Sequence, residues 1–154
     1  MANPTVVETE APRASSKRRI LLIEDNEADA TLMRLVHEQV RQCSWLDTVH
    51  HGPHAIEYLT AERSKPDVII MDVNLPMKSG LEMISEIKAL PGCELIPIVM
   101  VSGSANPFTL RQAYQLGANC MIRKSSDLEE YCRKLEICYQ FWCGVVELPH
   151  ENTN

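Results

Sequence analysis

Four stretches of the chain place reactive side chains directly after apolar runs. Ile20-Leu21-Leu22-Ile23 is followed by Glu24-Asp25, Val68-Ile69-Ile70-Met71 by Asp72, Ile98-Val99-Met100-Val101 by Ser102-Gly103, and Cys120-Met121-Ile122 by Arg123-Lys124. An apolar run that stops at a polar group reads as a buried strand ending at a mouth. Three carboxylates gathered at one mouth repel each other unless a hard cation neutralises them. Mg2+ suits that role, because it takes oxygen ligands and keeps some of its waters. A lysine facing the same cluster can hold a second anion, such as a phosphoryl oxygen, and a serine can donate to it. Gly103 would leave room for a backbone N–H to approach. The set fits phosphoryl transfer to a carboxylate, with the cation and Lys124 offsetting charge on the phosphoryl oxygens.

These groups meet only if the intervening chain folds back repeatedly, and the apolar pattern says that it does. After the first run, Asn26 or Glu27 starts a helix through Leu32, Leu35, Val36 and Val40. Residues 46–50 make a weak second strand, broken by Gly52-Pro53, and Ala55, Ile56 and Leu59 mark a second helix. A third strand over 67–71 precedes the helical stripe Leu81, Ile84, Ile87 and Leu90, which ends at Pro91-Gly92. A fourth strand over 96–101 leads to a helix over 107–116, closed by Gly117 as a left-handed cap. The fifth strand, 120–122, is followed by a helix capped by Ser126 or Asp127 and reaching about Cys143, with Leu128, Cys132, Leu135 and Trp142 toward the core. Strands alternating with helices imply an α/β fold, a parallel sheet covered on both faces. Five such units match a flavodoxin-like doubly wound sheet of order 2-1-3-4-5, which binds ligands beyond the carboxyl ends of its strands.

Size and composition narrow the classes. A chain of 154 residues suits one domain, read here as a disordered tail over 1–17, a folded domain over 18–144 and a C-terminal tail over 145–154. The net charge of −6, with Lys17-Arg18-Arg19 the one basic run, argues against DNA binding. No secretory pattern and no apolar stretch of membrane-spanning length occurs, so the expected location is the cytoplasm, without a membrane partner. Six cysteines without a C-x-x-C pair read as reduced thiols. His50, His51 and His54 straddle Gly52-Pro53 and read as surface or core histidines rather than metal ligands. No G-x-G-x-x-G follows the first strand and no P-loop occurs, which excludes the usual nucleotide-binding patterns.

Taken together, Glu24-Asp25, Asp72-x-x-Leu75-Pro76-x-x-x-Gly80, Ser102-Gly103 and Gly117-Ala118 with Lys124 resemble the receiver domain of two-component response regulators. The resemblance runs over about residues 18–143, nearly the whole folded chain. It implies that Asp72 is the phosphoacceptor, attacking a phosphohistidine on a sensor histidine kinase, and that the protein is not an enzyme acting on external substrates. It implies Mg2+ bound by Asp25, Glu24, Asp72 and the backbone carbonyl of Asn74. Lys124 would pair with a phosphoryl oxygen, and Ser102 would move toward the phosphoryl group. Asn74 and Ser104 match positions that tune the lifetime of the aspartyl phosphate. Two positions depart from the family pattern: Met121 stands where an aromatic residue is usual, and Ser125 where a cis-proline often follows the lysine.

Other readings compete. Haloacid-dehalogenase-type phosphatases also use a strand-end aspartate with Mg2+, but they carry a second Asp two residues later and on the first strand, where this chain has Asn74 after the third. A receiver-like module that accepts no phosphate would not need the intact acidic set. After the receiver region only about ten residues remain, too few for an output domain, so a stand-alone receiver signalling by protein contact or through a histidine phosphotransfer protein is expected. The last helix carries more apolar residues than one stripe needs, namely Tyr131, Ile137, Cys138 and Phe141. That surplus suggests a homodimer through the face formed by the fourth helix, fifth strand and fifth helix. The ending Phe141-Trp142 followed by Leu148-Pro149 also resembles single-domain receivers paired with bacterial phytochrome kinases.

Overall fold

The computed structural model describes residues 18–41, 43–61, 64–104 and 106–149. The expected N-terminal tail and residues 150–154 lie outside the described residues. Strands and helices alternate: β1 (Arg18–Ile23), α1 (Glu27–Glu38), β2 (Cys43–Val49), α2 (Gly52–Thr60), β3 (Val68–Asp72), α3 (Gly80–Lys88), β4 (Ile98–Ser102), α4 (Pro107–Leu116), β5 (Cys120–Arg123) and α5 (Leu128–Gln140). A π-helical turn, Phe141–Val145, continues α5. All pairings are parallel and the sheet order is β2-β1-β3-β4-β5. This is the flavodoxin-like topology expected from the alternation of the sequence.

Every residue of β3 and β4 is buried, because helices cover both faces of the sheet. Successive side chains point to opposite faces, so each strand feeds two cores. Leu21, Ile23, Ile69, Met71, Ile98 and Met100 pack under α2, α3 and α4, against residues such as Leu59, Ile84 and Ala113. Ile20, Leu22, Val68, Ile70, Val99 and Val101 pack under α1 and α5, against Met33, Leu135 and Tyr139. Each buried aliphatic side chain contributes about 1.5–3 kcal/mol relative to exposure.

Local signals set the helix ends. Asn26, His51, Ser79, Asn106 and Asp127 each accept an N-terminal backbone N–H, and Ser79 forms a reciprocal capping box with Glu82. Gly117 closes α4 at φ 108°, a left-handed conformation that suits glycine.

Two side-chain stripes differ from the sequence expectation. In α1 the buried residues are Ala30, Met33, Val36 and His37, while Leu35 is exposed. In α5 they are Tyr131, Leu135, Cys138 and Tyr139, while Leu128 is 62% exposed. The helix is rotated so that two polar-tipped tyrosines line the core. Tyr139 can do so because its hydroxyl donates to the Met33 carbonyl at 2.9 Å. Tyr131 and Cys138 are therefore core residues rather than surplus. The thiols also differ from expectation: Cys120, Cys132 and Cys138 are free, whereas Cys143 is disulfide-bonded.

The α1 and α5 helices meet along this second core, and Arg18 at the start of β1 donates to the Trp142 carbonyl at 2.5 Å. His37 packs edge-on against the Tyr139 ring with centroids 5.4 Å apart, and its Nε2 has no hydrogen-bond partner among the described residues. Burial pushes this imidazole below its ordinary value, against an opposing pull from Glu38. The unfolded chain then takes up a proton near pH 6.5 before the folded one does. Stability is full above that pH and declines as pH falls through it. In denaturant titrations across that range, the midpoint should drop on the acid side, and His37→Phe should remove that part of the drop.

Candidate functional site

Parallel strands bring β1, β3, β4 and β5 to the same end of the sheet. Glu24 follows β1 and is 1% exposed, Asp72 ends β3 at 5%, and Ser102 ends β4 at 1%. Lys124 follows β5, its backbone N–H bonded to the Ser102 carbonyl at 2.8 Å. Its ammonium lies 2.5 Å from Asp72 Oδ2, 2.8 Å from Asp29 Oδ2 and 3.4 Å from Glu24 Oε2. Burial alone disfavours that charge, but Asp29, Asp72 and Glu24 together outweigh it and hold the ammonium above its usual range.

The remaining acceptor oxygens are also fixed. Asp72 Oδ1 accepts from the Asn74 N–H at 2.6 Å, and Glu24 Oε1 from the Asn26 N–H at 3.1 Å. His50 Nδ1 lies 3.0 Å from the Glu24 carbonyl. Burial, then the adjoining Asp72 carboxylate, push the Glu24 carboxyl up to about 8. Both influences favour the protonated form of Glu24, which relieves its repulsion with Asp72. A cation in the cluster would replace that proton.

Carboxylate oxygens of Glu24, Asp29 and Asp72 all lie within 4.8 Å of one another, a spacing compatible with a shared metal ion. An all-oxygen donor set of this kind suits a hard divalent cation. Asp25 is exposed beside this group and Asn74 is exposed in the following loop. Asp29 was not singled out from sequence. It lies in the first turn of α1, where an acid is ordinarily read as complementing the helix dipole. The signal that could have found it is its place one turn after the cap residue Asn26, itself bonded to Glu24.

Ser102 Oγ accepts from the Ser104 N–H at 3.1 Å, so the hydroxyl is engaged by its own loop. A Cβ on Gly103 would meet nothing within 4 Å, leaving open space above the β4 end. Met121 is partly buried against the α2–α4 core. All described peptide bonds are trans, including the one joining Lys124 to Ser125. The three histidines do not form a metal group among the described residues: His51 caps α2 by accepting from the His54 N–H.

A family model for the response regulator receiver domain matches residues 20–136. The chain belongs to the response regulator receiver family. This CheY-like receiver is 32% identical over 135 residues to response regulator Rcp1 of Synechocystis sp., covering 84% of this chain and 92% of that one. It is 31% identical to the probable methanogenesis regulatory protein FilR2 of Methanothrix harundinacea, covering 84% of this chain and 86% of that one. Among solved structures it is similar to the phosphorylated cyanobacterial phytochrome response regulator RcpA, at TM-score 0.82 and 34% identity, covering 88% of this chain and all of that one. The Mn(2+)-bound form of Rcp1 matches at TM-score 0.81 and 31% identity, covering 86% of this chain and 99% of that one. The acidic cluster of the receiver fits a phosphorylation site that uses a divalent cation.

The loop after Asp72 depends on Gly80. A Cβ there would run into the Asp72 carbonyl and come within 3.0 Å of Val73 Cα, both backbone atoms with little freedom to move. The Gly80 N–H donates to the Val73 carbonyl at 2.8 Å, so the close approach is built in. Gly80→Ala should lower unfolding stability by about 1–3 kcal/mol through overpacking. Gly103→Ala, facing open space, should stay within about 0.5 kcal/mol of the parent in the same denaturation assay.

Proposed function

We propose that this receiver accepts a phosphoryl group on Asp72 from the phosphohistidine of a sensor histidine kinase. The observation that carries the reading is the hold on Asp72 itself. One carboxylate oxygen is fixed by the Asn74 N–H and the other by Lys124, at the open end of a buried strand. In the transfer, an Asp72 oxygen forms the bond to phosphorus. The P–N bond breaks, its electron pair returning to the imidazole. Lys124 shifts to a phosphoryl oxygen, and Ser102, released from Ser104, donates to another.

Mg2+, held by Glu24, Asp25, Asp72 and the Asn74 carbonyl, would offset negative charge on the phosphoryl oxygens. Asp25 supports this reading by its place next to Glu24, where its exposed side chain can turn toward the cluster. The similarity to Rcp1 and RcpA supports a phytochrome-type kinase as the donor. Such a kinase draws on ATP, which places the encounter in the cytoplasm. Among the described residues no helix is long and apolar enough to cross a membrane. The signal leaves by protein contact or by onward transfer to a histidine phosphotransfer protein.

A second copy of the chain is the proposed occupant of the α4-β5-α5 face. Leu110 and Tyr114 on α4 and Ile137 on α5 are exposed, as is Phe141 beyond it. A groove of about 710 Å3 runs along β5 between Met121, Ile122, Ile137, Phe141 and Trp142. β5 is also a sheet edge with backbone groups open to pairing.

Incubation with acetyl phosphate and Mg2+ should add one phosphoryl mass to the intact chain, and Asp72→Asn should abolish the adduct. An adduct that survives Asp72→Asn would move the site elsewhere. Steady release of phosphate from unrelated monoesters would point to a phosphatase instead. Light scattering over a dilution series should show a dimer that dissociates, with Ile137→Asp shifting the balance to monomer. A monomer at every concentration, phosphorylated or not, would remove the dimer from the proposal.

A further inference from the structure

Lys124 makes two close ion pairs, and only one of them can persist through the reaction proposed above. Its partner Asp72 loses its carboxylate charge on that oxygen once the bond to phosphorus forms. Asp29 does not react. Its Oδ2 lies 2.8 Å from the ammonium, closer than Glu24 at 3.4 Å. We propose that Asp29 is a positioning residue for Lys124, anchoring the ammonium while it passes from Asp72 to the phosphoryl group. This rests on Asp72 being the phosphoacceptor.

The local structure makes Asp29 a rigid anchor. Its backbone N–H is bound by the Asn26 side chain at 2.9 Å, and the Asn26 N–H is bound in turn by Glu24 at 3.1 Å. The backbone that carries the carboxylate is thereby tied to both the first turn of α1 and the end of β1. Asp29 also stands at the rim, its side chain 35% exposed against 6% for Asp72 and 1% for Glu24. An anchor there draws the ammonium outward, toward the side from which a phosphoryl donor arrives. Apart from Asp72, the inner wall reaches the ammonium among the described residues only through Glu24, at 3.4 Å. Tyr131 on α5 is 3% exposed and lies in the field of Lys124, Asp29, Glu24 and Asp72, yet its hydroxyl has no hydrogen-bond partner. Without Asp29, Lys124 would retain one close carboxylate, Asp72, and would have to leave it with no other carboxylate within 3 Å among the described residues.

The alternative role for Asp29 is direct metal ligation, and the two roles separate experimentally. The full chain, Asp29→Asn, Lys124→Ala and the double variant are compared for the rate of Asp72 phosphorylation by acetyl phosphate, read by intact mass. Mg2+ affinity is measured separately by calorimetry with the metal alone. Asp29→Asn should slow phosphorylation by roughly tenfold, and should add nothing further in the Lys124→Ala background, as expected for residues acting through one another. Its Mg2+ dissociation constant should change by less than about threefold, because the ligand set is intact. A fall in Mg2+ affinity as large as the fall in rate, an equal loss in both backgrounds, or an unchanged rate overturns the proposal while leaving Asp72 as the acceptor. A parent chain that takes no phosphoryl group on Asp72 sinks both readings together.

Discussion

Two carboxylates are buried at one end of this sheet, and buried charge of one sign must be compensated or discharged. The receiver does both. Burial and Asp72 push Glu24 toward its protonated form, and Lys124 brings a single ammonium into contact with Asp72, Asp29 and Glu24. Everything else about the site follows from making that arrangement possible. β1, β3 and β5 must end at the same level, Gly80 must let the chain turn tightly over Asp72, and Asn74 must turn its N–H back to the acceptor. The compensation is provisional, since the ammonium occupies ground that a cation and a phosphoryl group would also claim. A site held together by a movable internal cation is ready to exchange partners without unfolding.

The strand ends were legible because parallel strands covered on both faces need unbroken apolar runs. Ile20–Ile23, Val68–Met71 and Ile98–Val101 have that character, so the polar residue after each stands out. The sheet order followed from the alternation of strands with helices. The helix faces were harder to read. In α5 the apolar and amphipathic residues Leu128, Tyr131, Cys132, Leu135, Ile137, Cys138 and Tyr139 spread over more than one face, so more than one stripe fits the period. The choice fell to tertiary partners: Tyr139 reaches the Met33 carbonyl, which rotates Leu128 into solvent. Asp29 escaped notice for a related reason, because an acid in a first helical turn has a local explanation and its contact with Lys124 spans 95 positions.

Seen from the surface, the molecule has two unlike ends. The carboxyl ends of the strands carry the ionic cluster, with Ser102 and Lys124 stitched together through the backbone. The β5 edge carries apolar side chains made available by the rotation of α5 and by the π-helical turn that follows it. Lys124 belongs to both, since it directly follows β5. A change at the ionic end therefore has a short covalent path to the apolar edge, through the residues that link Arg123 to Lys124. Met121, unbranched and partly buried, sits on that path with a side chain able to repack.

The contact between Arg18 and the Trp142 carbonyl joins the first strand to the last helical segment. With Tyr139 bonded to Met33, it makes the beginning and end of the fold one packed seam. Neither end can then fray alone: peeling α5 away uncovers the α1 face of β1, and loosening β1 removes the floor under α5. Amide exchange in these two elements would be governed by the same opening event, making the seam a single cooperative unit.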